Sequence, residues 1–152
     1  NMKLLTAKKI KNSWKLFDEK NNFIGERLFV GFLGNRKQLI LNDKIYKIRN
    51  SGFFTNEIHY EDENGRLWVR IDFVHQRLFY YSETVTEIYY LKSKLWSKNM
   101  SLHKLENDNL VMRFNSKRSF STYTFEIETD ENFNNNLLKM SFLDLNLRNF
   151  ED

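Results

Sequence analysis

Cysteine is absent from this chain, which removes disulfides, thiol nucleophiles and every cysteine-held zinc or iron–sulfur site. Proline is absent too, alanine occurs once, as Ala7, and none of the five glycines sits in a phosphate-loop or dinucleotide pattern. No apolar run approaches the ~18 residues of a membrane span, and Leu4-Leu5 is far too short for the core of a secretion signal. The expectation is a soluble protein, cytoplasmic by default, with no metal or cofactor implied. Asn1 ahead of Met2 reads as a residue left from expression, so the domain is taken as 2–152. At 152 residues one domain can bury a core without staples.

What is present is β-forming. Fourteen phenylalanines, seven tyrosines and three tryptophans favour strands, and the central stretch Ile45 to Phe73 reads as three strands and two sharp turns. Asn64-Gly65 lies between two such runs, as a two-residue type I′ hairpin would have it. Beyond it Leu67, Val69, Ile71 and Phe73 alternate with Trp68, Arg70, Asp72 and Val74, the period-2 sign of a strand with one buried face. Tyr123, Phe125 and Ile127 alternate in the same way. Residues 3 to 13 are weakly patterned and read as a lead-in or edge segment. From Phe133 to Phe150 the apolar residues Leu137, Leu138, Met140, Phe142, Leu143, Leu145, Leu147 and Phe150 point all round a helical axis, which marks a buried helix, with Asn134, Asn135 and Asn136 offering its cap. The fold expected is all-β: an antiparallel meander closing into a barrel of about ten to twelve strands, with one buried C-terminal helix.

The YEDENGRLWVRI hairpin, the KLENDNLVMRF hairpin and the final LLKMSFLDLNL resemble the tubby-like and LURP-one-related barrels. That resemblance spans most of residues 14 to 150. It implies a closed barrel of about a dozen strands threaded by a hydrophobic C-terminal helix, in a superfamily some of whose members bind phosphoinositides or act at lipid surfaces. Lys139, Ser141, Asp144 and Asn146 depart from an all-apolar threaded helix, and no phosphoinositide-binding signature carries over. A lipocalin-like barrel is the rival, with Trp14 near the first strand but Asn12 where that family's opening has glycine.

Charge is uneven along the chain. Residues 1–50 carry 12 Lys/Arg against 4 Asp/Glu, residues 51–100 carry 6 against 7, and residues 101–152 carry 6 against 9. Lys3, Lys8, Lys9, Lys11 and Lys15 occur with no acid before Asp18. An anionic lipid or phosphate-bearing ligand is the partner this suggests, met by Lys8, Lys9, Lys11 and Lys15 with Arg36 and Lys37 as helpers. Ordinary solvated lysines are the plainer reading.

Catalytic and metal motifs are scarce. The acidic turn Glu61 to Gly65 fails as a calcium loop, because Gly65 at loop position 6 puts Tyr60 and Ile71 where carboxylates are needed. Leu28 to Leu33 looks like the shorter RNA-recognition signature with Phe32 in place of asparagine, but a turn at Gly34-Asn35 follows where that fold needs a helix. Nucleic acid is therefore disfavoured. His59, His75 and His103 form no spaced pair and read as solvated or hydrogen-bonded. Asp72, Glu87 and Glu126 could meet as a carboxylate pair inside a barrel. Trp14, Trp68, Trp96, Phe53, Phe54, Tyr80, Tyr81, Tyr89 and Tyr90 line either a ligand cavity or the core, with one ring of each tyrosine doublet outside it.

The leading expectation is a non-catalytic domain that binds an anionic or lipid-like surface through its basic N-terminal third. One alternative is a small-ligand carrier or enzyme with an aromatic-lined cavity; another is a structural or protein-interaction domain.

Overall fold

A computed structural model describes residues 1–34, 36–52, 56–93, 99–115 and 124–151, with the side chains of Leu33 and Phe150 outside that description. The described residues form β1 (Met2–Ile10), β2 (Ser13–Phe17), β3 (Phe23–Val30), β4 (Arg36–Leu41), β5 (Lys44–Ser51) and β6 (Glu57–Glu61). Then come β7 (Leu67–Asp72), β8 (Arg77–Tyr81), β9 (Thr86–Ser93), β10 (Met100–Lys104), β11 (Leu110–Asn115), β12 (Thr124–Asp130) and α1 (Asn136–Glu151). Each strand pairs with its neighbours in sequence and β1 pairs with β12, so the meander closes into an antiparallel barrel. Closure leaves none of the described strands with an unpaired edge.

Alternation becomes wall geometry. On β12, Phe125, Ile127 and Thr129 are buried while Thr124, Glu126 and Glu128 are only half-buried. Tyr89 is buried and Tyr90 is not, as the doublet requires. Residues 3 to 13, expected as a lead-in or edge segment, instead supply the closing strand, paired on both sides: Ala7 lies opposite Phe125 on one side and Leu16 on the other. Only Leu5 and Ala7 are buried along β1, so its sequence period was too brief to read. Phe53, Phe54, Trp96 and Tyr123 lie outside the described residues.

Two turns exchange roles. Asn64-Gly65 does mark a hairpin apex, but not as a two-residue loop. The Asp62 amide donates to the Arg66 carbonyl (2.9 Å), the Gly65 amide donates to the Asp62 carbonyl (3.0 Å), and of the two apex residues only Gly65 has a positive φ, 83°. This is a three-residue loop ending in a left-handed residue. Asp62 reinforces it, its Oδ1 accepting from the amides of Asn64 and Arg66 and its Oδ2 from Trp68 Nε1 at 3.0 Å. The indole bond is the chief reason the Asp62 carboxyl titrates below its usual range. The two-residue type I′ turn is Asn42-Asp43, with φ of 48° and 65° and Leu41 paired to Lys44.

Helix α1 fills the lumen. Asn135 Oδ1 accepts from the Leu138 amide (3.0 Å) and caps its start. Leu138, Met140, Phe142 and Leu143 are 0% exposed, so apolar residues on every side of the axis meet wall on every side. Gly25 on β3 lets the helix approach, since a Cβ there would lie 2.9 Å from the Ile40 carbonyl oxygen and 3.3 Å from Met140 Cγ.

Three polar residues of the helix, Ser141, Asp144 and Asn146, are fully buried, and each is built into the interior. Ser141 Oγ donates to the Leu137 carbonyl (2.8 Å). Asn146 donates to the Phe142 carbonyl and accepts from the Met100 amide at 3.1 Å. Asp144 accepts from Arg27 Nε (2.5 Å), Tyr60 Oη (2.7 Å) and Arg148 Nε (3.3 Å). Arg27 Nη1 lies 2.5 Å from Glu151 Oε1, which also pairs through its second oxygen with Lys37 at 3.5 Å. Burial alone would raise the Asp144 carboxyl; the Arg27 and Arg148 cations and the Tyr60 hydroxyl reverse that and hold it below the usual value. The same surroundings, burial first and Asp144 second, push the Tyr60 phenol well above its own.

Candidate functional site

In an antiparallel meander every second connection lies at the same end. One end therefore carries the links β2–β3, β4–β5, β6–β7, β8–β9, β10–β11 and β12–α1. These links hold Asp18, Glu19, Asp43, Asp62, Glu63, Glu83, Glu106, Asp108 and Glu131 against Lys20 and Arg66. Nine carboxylates thus ring the mouth where α1 begins, and the positive end of the helix dipole faces them. The origin is turn chemistry: Asp18 Oδ1 accepts from the amides of Lys20 and Asn22, as Asp62 does in its own turn, and short polar side chains are what such turns select.

The opposite mouth, where α1 ends, differs in sign. Its described connections hold Lys11 and His75 and no carboxylate. Beside Lys11, the Phe29 amide donates to the Asn12 carbonyl (3.4 Å), which brings the β1–β2 turn against β3. Val30 pairs with Arg36 across the next link, so exposed Lys11 and exposed Arg36 flank one sector of this rim. Between β3 and β4 the tip Gly31 to Gly34 closes as a 3-10 turn, the Gly34 amide donating to the Gly31 carbonyl at 3.1 Å. Phe32 on this tip is 89% exposed.

The six basic residues expected to act together are divided by the fold. Lys11 and Arg36 share the rim sector just described, and Lys9, opposite Trp14, is one residue short of the end of the β1–β2 pair. Lys8 and Lys15 face each other on the outer wall, each over an aromatic ring, Phe17 at 5.5 Å and Phe23 at 5.9 Å. Lys37 turns inward and pairs with Glu151. Lys3 stands at the other, acidic mouth, 3.5 Å from Glu19. The basic surplus of the first third is thus partly converted into an axial polarity of the whole barrel.

The acids Asp72, Glu87 and Glu126 do not meet. Asp72 bonds His75 Nδ1 at 2.8 Å, Glu87 bonds the Tyr89 hydroxyl, and Glu126 sits between buried Phe125 and Ile127 on the opposite face of β12. Among the described residues no cluster of three His, Asp or Glu is arranged to hold a metal ion. Tyr60, Tyr89 and Trp14 pack in the core.

A second constellation escaped sequence reading. On the outer face of β10, Ser101 Oγ lies 2.9 Å from His103 Nε2, and His103 Nδ1 lies 3.3 Å from the Asp108 carbonyl oxygen and 3.5 Å from its Oδ1. A carbonyl can only accept, so Nδ1 carries the proton and Nε2 accepts from Ser101. Burial lowers the His103 imidazole below its ordinary value, and its ring stacks on Tyr90 at 5.1 Å. The register sets Lys92 and Arg113 directly across from Ser101 on either side. A Ser-x-His on one strand face was the only sequence signal.

No family model and no curated protein matches the chain. Among solved structures it is similar to a protein from Arabidopsis thaliana known from an X-ray structure, at 10% identity and a TM-score of 0.42, over 99% of this chain and 92% of that one. No described helix is long and apolar enough to cross a membrane.

Proposed function

We propose that this barrel is a non-catalytic module that binds an anionic, lipid-like surface through the rim at the C-terminal end of its helix. The observation that carries the reading is the contrast between the described links of the two mouths: nine carboxylates against Lys20 and Arg66 on one, Lys11 and His75 with no carboxylate on the other, where Arg36 opens β4 and the nearby Asp72 and Glu151 are already paired with His75, Arg27 and Lys37. A barrel so polarised turns its basic mouth toward negative charge before contact. The resemblance to tubby-like and LURP-one-related barrels belongs to the same proposal, since that superfamily includes members that act at lipid surfaces. Helix α1 occupying the lumen also weighs against a carrier that holds its ligand inside. The test is sedimentation with phosphatidylserine-containing vesicles against phosphatidylcholine alone. Binding is expected to anionic vesicles only and to fall between low salt and 0.15 M, where charges are screened over about 8 Å. No binding of the native chain at low salt, or equal binding by Lys11→Glu/Arg36→Glu, overturns the reading.

A catalytic reading has one observation behind it, the Ser101–His103–Asp108 chain of contacts. It requires that a fluorophosphonate probe label Ser101 and that His103→Gln abolish labelling. An unlabelled native protein removes it.

A further inference from the structure

A phenylalanine held in water at a loop tip forgoes roughly 1.5–3 kcal/mol of burial, and single exposed apolar residues are common enough to need no purpose. Phe32 is set apart by its company. Among the described residues it is the most exposed of the large hydrophobic side chains, at 89%, against 44% for Ile10 at the end of the neighbouring β1. It rides on a closed turn whose flanking Gly31 and Gly34 take φ of 89° and 60°, conformations that strain other residues. The backbone is therefore fixed by its own hydrogen bond while the ring points away from the wall. On both sides stand exposed cations, Lys11 next to Ile10 and Arg36 opposite Val30.

Resting on the anionic-surface reading, we infer that Phe32 is an insertion wedge: its ring enters the interfacial layer of an anionic bilayer while Lys11 and Arg36 meet the headgroups. The same cations could hold a free phosphate, but a free phosphate has no use for the ring, so the two ligand sources separate on Phe32. Apolar insertion and basic attraction are the two terms that together hold a peripheral protein on a membrane. The acidic mouth at the far end of the barrel disfavours any approach in which Phe32 points away from the lipid.

The chain has no cysteine, so Phe32→Cys places a unique thiol at the tip for an environment-sensitive dye. Val85→Cys, at an exposed position on the acidic mouth, is the control. With phosphatidylserine-containing vesicles the dye at position 32 is expected to shift to the blue and brighten, while the dye at position 85 stays unchanged. Phe32→Ala is expected to weaken vesicle partitioning of the unlabelled chain about tenfold, the factor that corresponds to about 1.4 kcal/mol. Native binding with a silent dye at position 32 and unweakened Phe32→Ala overturns the insertion and leaves surface binding standing. Failure of the native chain to sediment overturns the surface reading, and the wedge with it. Equal shifts at positions 32 and 85 mean that the dye and not the tip finds the lipid, which also overturns the wedge.

Discussion

Arg27 on β3 and Asp144 on α1, 117 positions apart, meet with Nε 2.5 Å from Oδ1 and both side chains at 0% exposure. The pair fixes the helix axially and in rotation, because Asp144 also accepts from Tyr60 on β6 and Arg148 one turn on. Breaking such a pair from one side leaves a buried charge uncompensated, at about 3–5 kcal/mol, whereas replacing both partners with apolar residues can be nearly neutral. Asp144→Leu alone and Arg27→Met alone should therefore each destabilise by that order. The double variant should lose far less than their sum. Denaturant unfolding of all four proteins checks this, and additive losses would mean that the ions do not act as a pair.

Acid stability follows from the same carboxyl. Its folded pKa is depressed below the unfolded value, so its contribution is fully present above about pH 4 and is lost as pH falls through the folded value. Melting temperature should hold from pH 7 to about 5 and drop below about 4. The Arg27→Met/Asp144→Leu chain should show a shallower acid limb. An unchanged limb would place the acid-sensitive group elsewhere.

The fold was legible where burial imposes a period: alternation on β12, apolar residues all round α1, and Val69 and Ile71 on β7, although Leu67 is only half-buried and Phe73, expected on the same buried face, lies past the strand's end and is exposed. Arg27 was not legible, because nothing in GERLF separates an arginine bound inward to a helix 117 residues away from one in solvent. Ring closure was hidden for a similar reason, β1 having two buried positions between charged ones. The rim polarity escaped because its carboxylates recur at alternate turns, spread from Asp18 to Glu131, and become neighbours only once the meander is closed. Phe32 belongs in sequence to an RNA-binding look-alike, and its exposure depends on a tip conformation that sequence does not state.

Gly25 should be intolerant of even one methyl group. Its added Cβ would meet the Ile40 carbonyl oxygen at 2.9 Å, Leu41 Cγ at 3.1 Å and Met140 Cγ at 3.3 Å, and a backbone oxygen cannot step aside as a side-chain tip can. Gly25→Ala is expected to destabilise by about 1–3 kcal/mol through overpacking between wall and helix. The measurement is the shift in denaturant midpoint, and a neutral result would show that the helix can slide.

Gly65 tests backbone strain without packing, since a Cβ there meets nothing within 4 Å although φ is 83°. Gly65→Val should cost on the order of 1–3 kcal/mol, and Gly65→Asn markedly less, asparagine tolerating the left-handed region. Equal losses for the two would point to the hairpin's side chains instead of its φ.

Lys3 and Lys11 separate the linear reading of charge from the axial one. Both belong to the basic N-terminal run, yet β1 carries Lys3 to the acidic mouth beside Glu19 and Lys11 to the mouth with Arg36. Strands of this length, at about 3.3 Å per residue and tilted as in a closed barrel, hold the mouths roughly 20 Å apart. That is about twice the screening length at 0.1–0.15 M salt, so a surface touching one mouth scarcely senses a charge on the other. Each basic residue near an anionic membrane contributes roughly 1 kcal/mol. Lys11→Glu should thus weaken vesicle partitioning at 0.1 M salt by about tenfold or more, and Lys3→Glu by less than about twofold. Equal losses would return the contact to the N-terminal run as a whole and dissolve the role assigned to the rim.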